Sequence, residues 1–166
     1  MLLGYGRLAR VEHCLADEIV ATSGGLADGD VLYTANLPVI GHYVRLAVEE
    51  RTGRRGLRVV PLTWAPRLLG PATPTELIRV DDHTLELRVT GDRYFAGPLD
   101  QLIREATGAG LPNEVDRTAD LGFRVHVRER DAAGVSHLEF RFVRPLRELH
   151  LYWGSRARWA NPVRFE

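Results

Sequence analysis

The stretch FRVHVRERDAAGVSHLEFRF, residues 123–142, decides the fold because two runs of alternating apolar and polar residues flank a polar loop. If residues 131–134 form that loop, the two runs pair as an antiparallel hairpin, with Gly134 where a left-handed backbone is favoured. One face of the hairpin is then entirely apolar, with the cross-strand pairs Val127–Leu138, Val125–Phe140 and Phe123–Phe142. The pattern therefore predicts a half-buried antiparallel sheet in the C-terminal half of the chain.

The opposite face of the same hairpin is polar and contains the first candidate site. A histidine beside a carboxylate is typical of a general base. Two facing arginines repel each other unless an anion or a carboxylate of a partner lies between them. The predicted pairs on this face are Arg128–His137, His126–Glu139 and Arg124–Arg141. We interpret the last two pairs as a candidate interaction and anion-binding surface; the alternative is an ordinary solvated face of a sheet.

The alternation continues on both sides of this hairpin. The segments Glu76–Val80 and Leu85–Val89 predict a second hairpin with a two-residue turn at Asp82-His83, since aspartates favour turns by accepting backbone N–H bonds. Its predicted cross-strand pairs are Val80–Leu85, Ile78–Leu87 and Arg79–Glu86. The remaining predicted elements are a short helix after Gly97-Pro98, a polar loop over Ala109–Asp120, and two strands over Leu149–Trp153 and Ala157–Val163.

The N-terminal part has a different periodicity. Apolar residues at helical spacing predict an amphipathic helix over Gly6–Ala21. A buried strand at Val31–Thr34, a helix from Pro38 to Gly53 and a strand at Leu57–Leu62 then predict a parallel βαβ unit. The predicted fold class is α+β: an N-terminal helix and a βαβ unit, followed by antiparallel hairpins that form a mostly β C-terminal half. We expect a single domain over residues 1–166, with an α/β part at 1–64 and an antiparallel β part with one short helix at 75–166.

A second candidate site lies where the first strand of the βαβ unit ends. In open α/β sheets ligands collect at the carboxyl ends of strands, where free backbone amides and a helix N-terminus favour anions. The residues placed there are Thr34, Asn36 and His42. We interpret them as a ligand site for an anionic metabolite; the alternative is that Asn36 only caps the following helix.

Composition excludes several chemistries. The 166 residues contain 22 basic and 22 acidic side chains, and every basic one is an arginine. Without lysine there is no P-loop lysine and no Schiff-base amine, and the single cysteine excludes an internal disulfide and multi-cysteine zinc sites. A formal net charge of zero argues against a nucleic-acid partner. We assign no catalytic residue, no metal site and no cofactor, and no apolar run approaches the ~18 residues of a membrane span.

Several short motifs, taken in order, resemble the soluble C-terminal region of large, uncharacterised multi-spanning bacterial membrane proteins. They are YTANLPV at 33–39, TLELRV at 84–89, YFAGPLDQLIR at 94–104, FRVHV at 123–127 and LEFRFVRPL at 138–146. The resemblance covers roughly residues 30 to 150, and this chain departs from the pattern by having no membrane spans. It implies an extracytoplasmic or membrane-associated accessory domain and carries over no catalytic residues.

Two functional hypotheses follow from these patterns. The leading one is a non-catalytic interaction or accessory domain that docks on a protein partner in a membrane-associated assembly, because arginine and aromatic residues are common in interface cores. The alternative is a small enzyme or anionic-metabolite-binding protein that uses the strand-end site.

Overall fold

The computed structural model describes residues 13–22, 25–37, 44–63, 74–94, 112–154 and 161–162, which form two helices and two sheets. The first helix, α1, covers residues 13–22. The elements that follow are β1 (Val31–Ala35), α2 (Val44–Thr52), β2 (Arg58–Pro61), β3 (Thr75–Arg79), β4 (Thr84–Val89), β5 (Glu114–Arg117), β6 (Phe123–Asp131), β7 (Gly134–Phe142), a 3-10 turn (Leu146–Glu148), β8 (His150–Trp153) and β9 (Asn161–Pro162). The predicted α+β class is confirmed, with a mostly β second half.

The mixed sheet has the strand order β2-β1-β8-β9. Strands β1 and β2 are parallel, as the βαβ pattern predicts, and β8 pairs parallel to the other side of β1. Strand β9 closes the sheet antiparallel to β8. The antiparallel sheet has the order β3-β4-β7-β6-β5.

The elements stack in three layers because β1, the central strand, is apolar on both sides. On one side of the mixed sheet, Leu32 of β1 and Tyr152 of β8 pack against the two helices. The helix residues in this cluster include Leu15 and Ile19 of α1 and Val48 of α2. The alternate positions of the mixed sheet face the antiparallel sheet. There the Tyr33 ring meets Phe142 edge-on at a centroid distance of 5.2 Å.

The register of the β6–β7 hairpin is confirmed near its base and wrong near its tip. Val127, Val125 and Phe123 pair with the three residues predicted for them. A bulge at Arg128 then shifts the ladder by one residue, so His137 lies opposite Glu129 rather than Arg128. The bulge leaves the Arg128 side chain free to reach Glu139 instead, with Nε 2.9 Å from the carboxylate oxygen Oε2.

The predicted register of the β3–β4 hairpin is wrong by one residue. Arg79 pairs with Leu85, Ile78 with Glu86 and Leu77 with Leu87. The cause is a three-residue turn rather than a two-residue one: the Asp81 carboxylate accepts the N–H of His83 at 2.7 Å and the hydroxyl of Thr84 at 3.0 Å. Arg79 consequently forms its ion pair with Asp82 in the turn, not with Glu86.

Two strands lie where the sequence predicts something else. The polar loop predicted over 109–120 contains the edge strand β5, which pairs with β6. Strand β8, assigned to the antiparallel part at 75–166, belongs to the mixed sheet, so that boundary does not separate the two sheets. Residues 6–12 and 38–43, the short helix after Gly97-Pro98 and residues 64–73 between the two predicted parts lie outside the described residues.

Candidate functional site

The carboxyl ends of three parallel strands meet at one edge of the mixed sheet. Asn36 follows β1, Thr63 lies beyond β2 and Gly154 follows β8. From β1 the chain continues through α2 to β2 on one side, whereas β8 continues to β9 on the other. Connections that leave adjacent strands in opposite directions open a crevice, and ligands of α/β sheets bind in such crevices.

Asn36 is held at this crevice by both neighbouring strands. Its backbone N–H donates to Thr63 through both the carbonyl oxygen, at 3.1 Å, and Oγ1, at 3.0 Å. Its side-chain Nδ2 donates to the carbonyl oxygen of Gly154 at 3.0 Å. The backbone is left-handed, with a φ of 58°, a conformation that asparagine tolerates better than most residues.

The side-chain oxygen of Asn36, Oδ1, departs from the rule that buried polar atoms are hydrogen-bonded. Asn36 is 1% exposed, yet its Oδ1 accepts no hydrogen bond from any residue that the structure describes. The amide cannot be reversed to correct this, because Oδ1 would then face the Gly154 carbonyl oxygen. An unsatisfied buried acceptor costs about 1–3 kcal/mol, so it marks either stored strain or an expected donor.

The interpretation of Asn36 as a simple helix cap stays a prediction, because the N–H groups of the first helical turn belong to residues 38–43, outside the described residues. A cap uses the side-chain oxygen to accept an N–H of the first helical turn, and within the described residues Oδ1 accepts none. Thr34 is 2% exposed in the same strand. His42, the third residue predicted for this site, lies outside the described residues.

A buried hydroxyl network extends from Asn36 toward the antiparallel sheet. Thr63, whose Oγ1 accepts the Asn36 N–H, also lies close enough to the Tyr94 hydroxyl to lower the pKa of that group. The Tyr94 hydroxyl lies 3.4 Å from Thr75 Oγ1 at the start of β3. Burial raises the pKa of Tyr94 to about 12 despite these two hydroxyl contacts, so the phenol is neutral at any physiological pH. The sequence did not point to Thr63 or Tyr94, because neither lies near Asn36 in the chain.

The predicted polar face of the β6–β7 hairpin is the outer face of the antiparallel sheet, which we define as the side turned away from the mixed sheet. Arg124 and Arg141 are direct cross-strand neighbours, as predicted. The positive charge of Arg124 is nevertheless compensated, because its guanidinium lies 3.1 Å from Glu114 and 2.6 Å from Asp116 of strand β5. The missed strand β5 therefore neutralises one of the two arginines.

The predicted general base is not assembled on this face. His126 and Glu139 lie opposite each other in the ladder. Nε2 of His126, however, is 3.0 Å from Glu114, and the Glu139 carboxylate is bonded by Arg128. Both groups are thus engaged with other partners in an ion-paired surface.

Arg141 differs from the other arginines of this face. It is exposed and forms no hydrogen bond or ion pair with any residue in the described ranges. Its cross-strand neighbour on β4 is Thr84, which is buried. Val80, 53% exposed, lies on the far side of Thr84 and donates its backbone N–H to the Thr84 carbonyl oxygen. Val143, 60% exposed, lies two residues after Arg141, just beyond the end of β7 at Phe142. We call Val80, Thr84, Arg141 and Val143 the arginine patch.

The sequence predicted Arg141 but missed the two valines. The two-residue turn assumed for the β3–β4 hairpin placed Val80 opposite Leu85 on the apolar face, whereas Val80 donates its N–H to Thr84 on the outer face. Val143 follows Arg141 by two residues, and that spacing was visible in the sequence, but the residue lies just beyond the end of β7.

Comparison with protein-family models, with curated proteins and with solved structures finds no match for this chain. Across the described ranges, no three His, Cys, Asp or Glu side chains are grouped so that they could hold a metal ion. The helices in those ranges include none with the length and apolarity needed to cross a membrane.

Proposed function

We propose that the chain is a non-catalytic protein-interaction domain and that the arginine patch binds a partner segment in which a carboxylate is flanked by aliphatic side chains. The observation that carries this proposal is the Arg141 guanidinium, which forms no ion pair with a described residue, whereas Arg88, Arg124 and Arg128 on the same sheet face each form one.

Charge complementarity identifies the polar half of the partner. A guanidinium presents N–H donors in a planar fork that fits the two oxygens of a carboxylate. Among the described residues, Asp81 attracts Arg141 electrostatically, but its carboxylate is hydrogen-bonded by His83 and Thr84 in the turn. Arg141 is therefore available to a carboxylate from another molecule.

The two exposed valines identify the apolar half of the partner. Val80 lies beyond Thr84, the buried cross-strand neighbour of Arg141, and Val143 follows Arg141 by two residues in the chain. Apolar side chains around a central arginine exclude water from the ion pair and strengthen it. The resemblance noted above adds that the partner belongs to a membrane-associated assembly and that contact occurs on the extracytoplasmic side.

A random peptide library displayed on phage and selected against the full chain tests this function. We expect enrichment of Asp or Glu beside Val, Leu or Ile, and loss of that enrichment on R141Q. Replacement of the selected acid by its amide weakens binding about tenfold or more, since hydrogen bonds to charged groups contribute about 1.5–3 kcal/mol.

Two control variants make the selection specific. R124Q removes the same charge from the adjacent position, where Glu114 and Asp116 already occupy the guanidinium, and it keeps the enrichment. R141K keeps the charge but loses the planar fork, and it binds with intermediate affinity. Selection of the same peptides on R141Q, or no acidic consensus on the natural chain, overturns the proposal.

A further inference from the structure

We infer that the crevice between the ends of β1 and β8 binds a neutral small molecule through a hydroxyl or amide N–H that donates to Oδ1 of Asn36. This site lies on the mixed sheet and is separate from the arginine patch. Its starting point is the buried side-chain oxygen of Asn36, which has no donor among the described residues.

The hydrogen-bond pattern of Asn36 requires a donor from the ligand. The backbone N–H is shared by two oxygens of Thr63, and Nδ2 is used by the carbonyl oxygen of Gly154. The side-chain carbonyl oxygen is the part of the Asn36 side chain that remains, and a carbonyl oxygen can only accept. A ligand without an O–H or N–H group cannot satisfy it.

The residues around Asn36 favour a neutral ligand over an ion. The described side chains bonded within this network are threonine and tyrosine hydroxyls, and the burial-raised pKa of Tyr94 keeps that group uncharged. Burying a charge without a countercharge is strongly unfavourable. A carboxylate or phosphate would also bring negative charge against Oδ1, so we infer a neutral hydrogen-bond donor here rather than the anionic metabolite of the strand-end hypothesis.

The backbone geometry shows that this position is tightly constrained. A Cβ added to Gly154 would lie 2.4 Å from the carbonyl oxygen of Asn36, so only glycine allows the chain after β8 to pass this close. Asn36 itself is held in the left-handed region. A left-handed residue other than glycine and an unsatisfied buried polar atom at the end of a parallel strand are features that occur at ligand sites.

A matched pair of neutral probes tests whether the bound molecule must donate a hydrogen bond to Asn36 or need only fit the site. Acetamide carries N–H donors, and N,N-dimethylacetamide keeps the carbonyl but has none. Each is titrated into the full chain labelled with nitrogen-15, and the Asn36 side-chain amide resonances are followed. We expect a saturable shift with acetamide, with a Kd on the order of 1–100 mM for so small a probe, and at least tenfold weaker binding of dimethylacetamide.

Acetate and one variant complete the experiment. Acetate, an anion of similar size that is fully ionised at pH 7, leaves the Asn36 amide resonances unshifted. R141Q binds acetamide like the natural chain, so failure of the arginine patch and failure of this site are distinguishable. Equal binding of the two amides, no response to acetamide, or a preference for acetate overturns the inference.

Discussion

The two sheets satisfy their polar groups in opposite ways. On the outer face of the antiparallel sheet, Arg124 is neutralised by Glu114 and Asp116, which precede it by ten and eight residues and are exposed to water. In the mixed sheet, Asn36 is buried and is held by Thr63 and by Gly154, 118 residues away. Water replaces a broken contact readily on the exposed surface, whereas the hydrogen bonds of Asn36 are buried. Damage to the strand-end network is therefore expected to reduce stability far more than damage to the ion pairs.

The largest expected effect is that of Gly154→Ala. The added methyl group would meet the backbone carbonyl of Asn36 at 2.4 Å, and a backbone atom held from both sides cannot move away cheaply. We expect a loss of about 2–4 kcal/mol in the free energy of unfolding, measured by urea denaturation.

Gly25→Ala is the matched control for this substitution. A Cβ at Gly25 has no heavy atom within 4 Å, and its backbone is not left-handed. We expect a change within about 0.5 kcal/mol, as for most surface substitutions. Equal stability of the two variants would mean that the β1–β8 crevice is not rigid.

A second effect of the same network appears at alkaline pH. The pKa of Tyr94 is raised from its ordinary 10.0 to about 12 in the folded chain, mainly by burial. Because the folded pKa is the higher one, the stabilisation is fully present below pH 10 and is lost as the pH rises toward 12. A pKa difference of two between the folded and unfolded chain corresponds to about 2–3 kcal/mol in the free energy of unfolding.

Tyr94→Phe tests this linkage. The variant lacks the ionisable group, so its free energy of unfolding between pH 9 and pH 12 should fall less steeply than that of the natural chain. Urea unfolding at stepped pH measures the difference between the two slopes. Parallel curves over that range would show that Tyr94 does not carry the alkaline transition.

How far the sequence predicts the fold follows from how local each interaction is. The β6–β7 hairpin is predictable because its strands are adjacent and Phe123, Val125 and Val127 alternate with polar residues. The β3–β4 register depends on one carboxylate, that of Asp81, which extends the turn by a residue. A turn that is one residue longer shifts the pairing of the two strands, although the order of apolar and polar residues in the sequence is the same.

Non-local pairing explains what the sequence could not predict. Strand β8 has the same pattern whether it pairs with an antiparallel neighbour or inserts parallel to β1, so its place depends on the packing of distant elements. Strand β5 has only Val115 partly buried, and its charged residues are typical of loops as well as of protected edge strands. For the strand-end site, the position of Asn36 was predictable, but its unsatisfied oxygen is visible only in three dimensions.

The smallest expected effect lies on the outer face and is confined to acid. The pKa of Asp116 is lowered from 3.8 to about 2, first by the N–H and hydroxyl of Thr118 and then by Arg124. A lowered folded pKa means that the stabilisation is present above about pH 4 and is lost as the pH falls toward 2. Asp116→Asn keeps an acceptor for the Thr118 N–H but removes the charge. We expect it to be slightly less stable than the natural chain at pH 6 and equal to it near pH 2, as measured by urea unfolding across that range.

Thr118→Ala, which keeps the N–H and loses the hydroxyl, should fall between them, because the backbone N–H is the larger cause. A gap that stays constant from pH 6 to pH 2 would assign the effect to local structure rather than to the carboxylate charge.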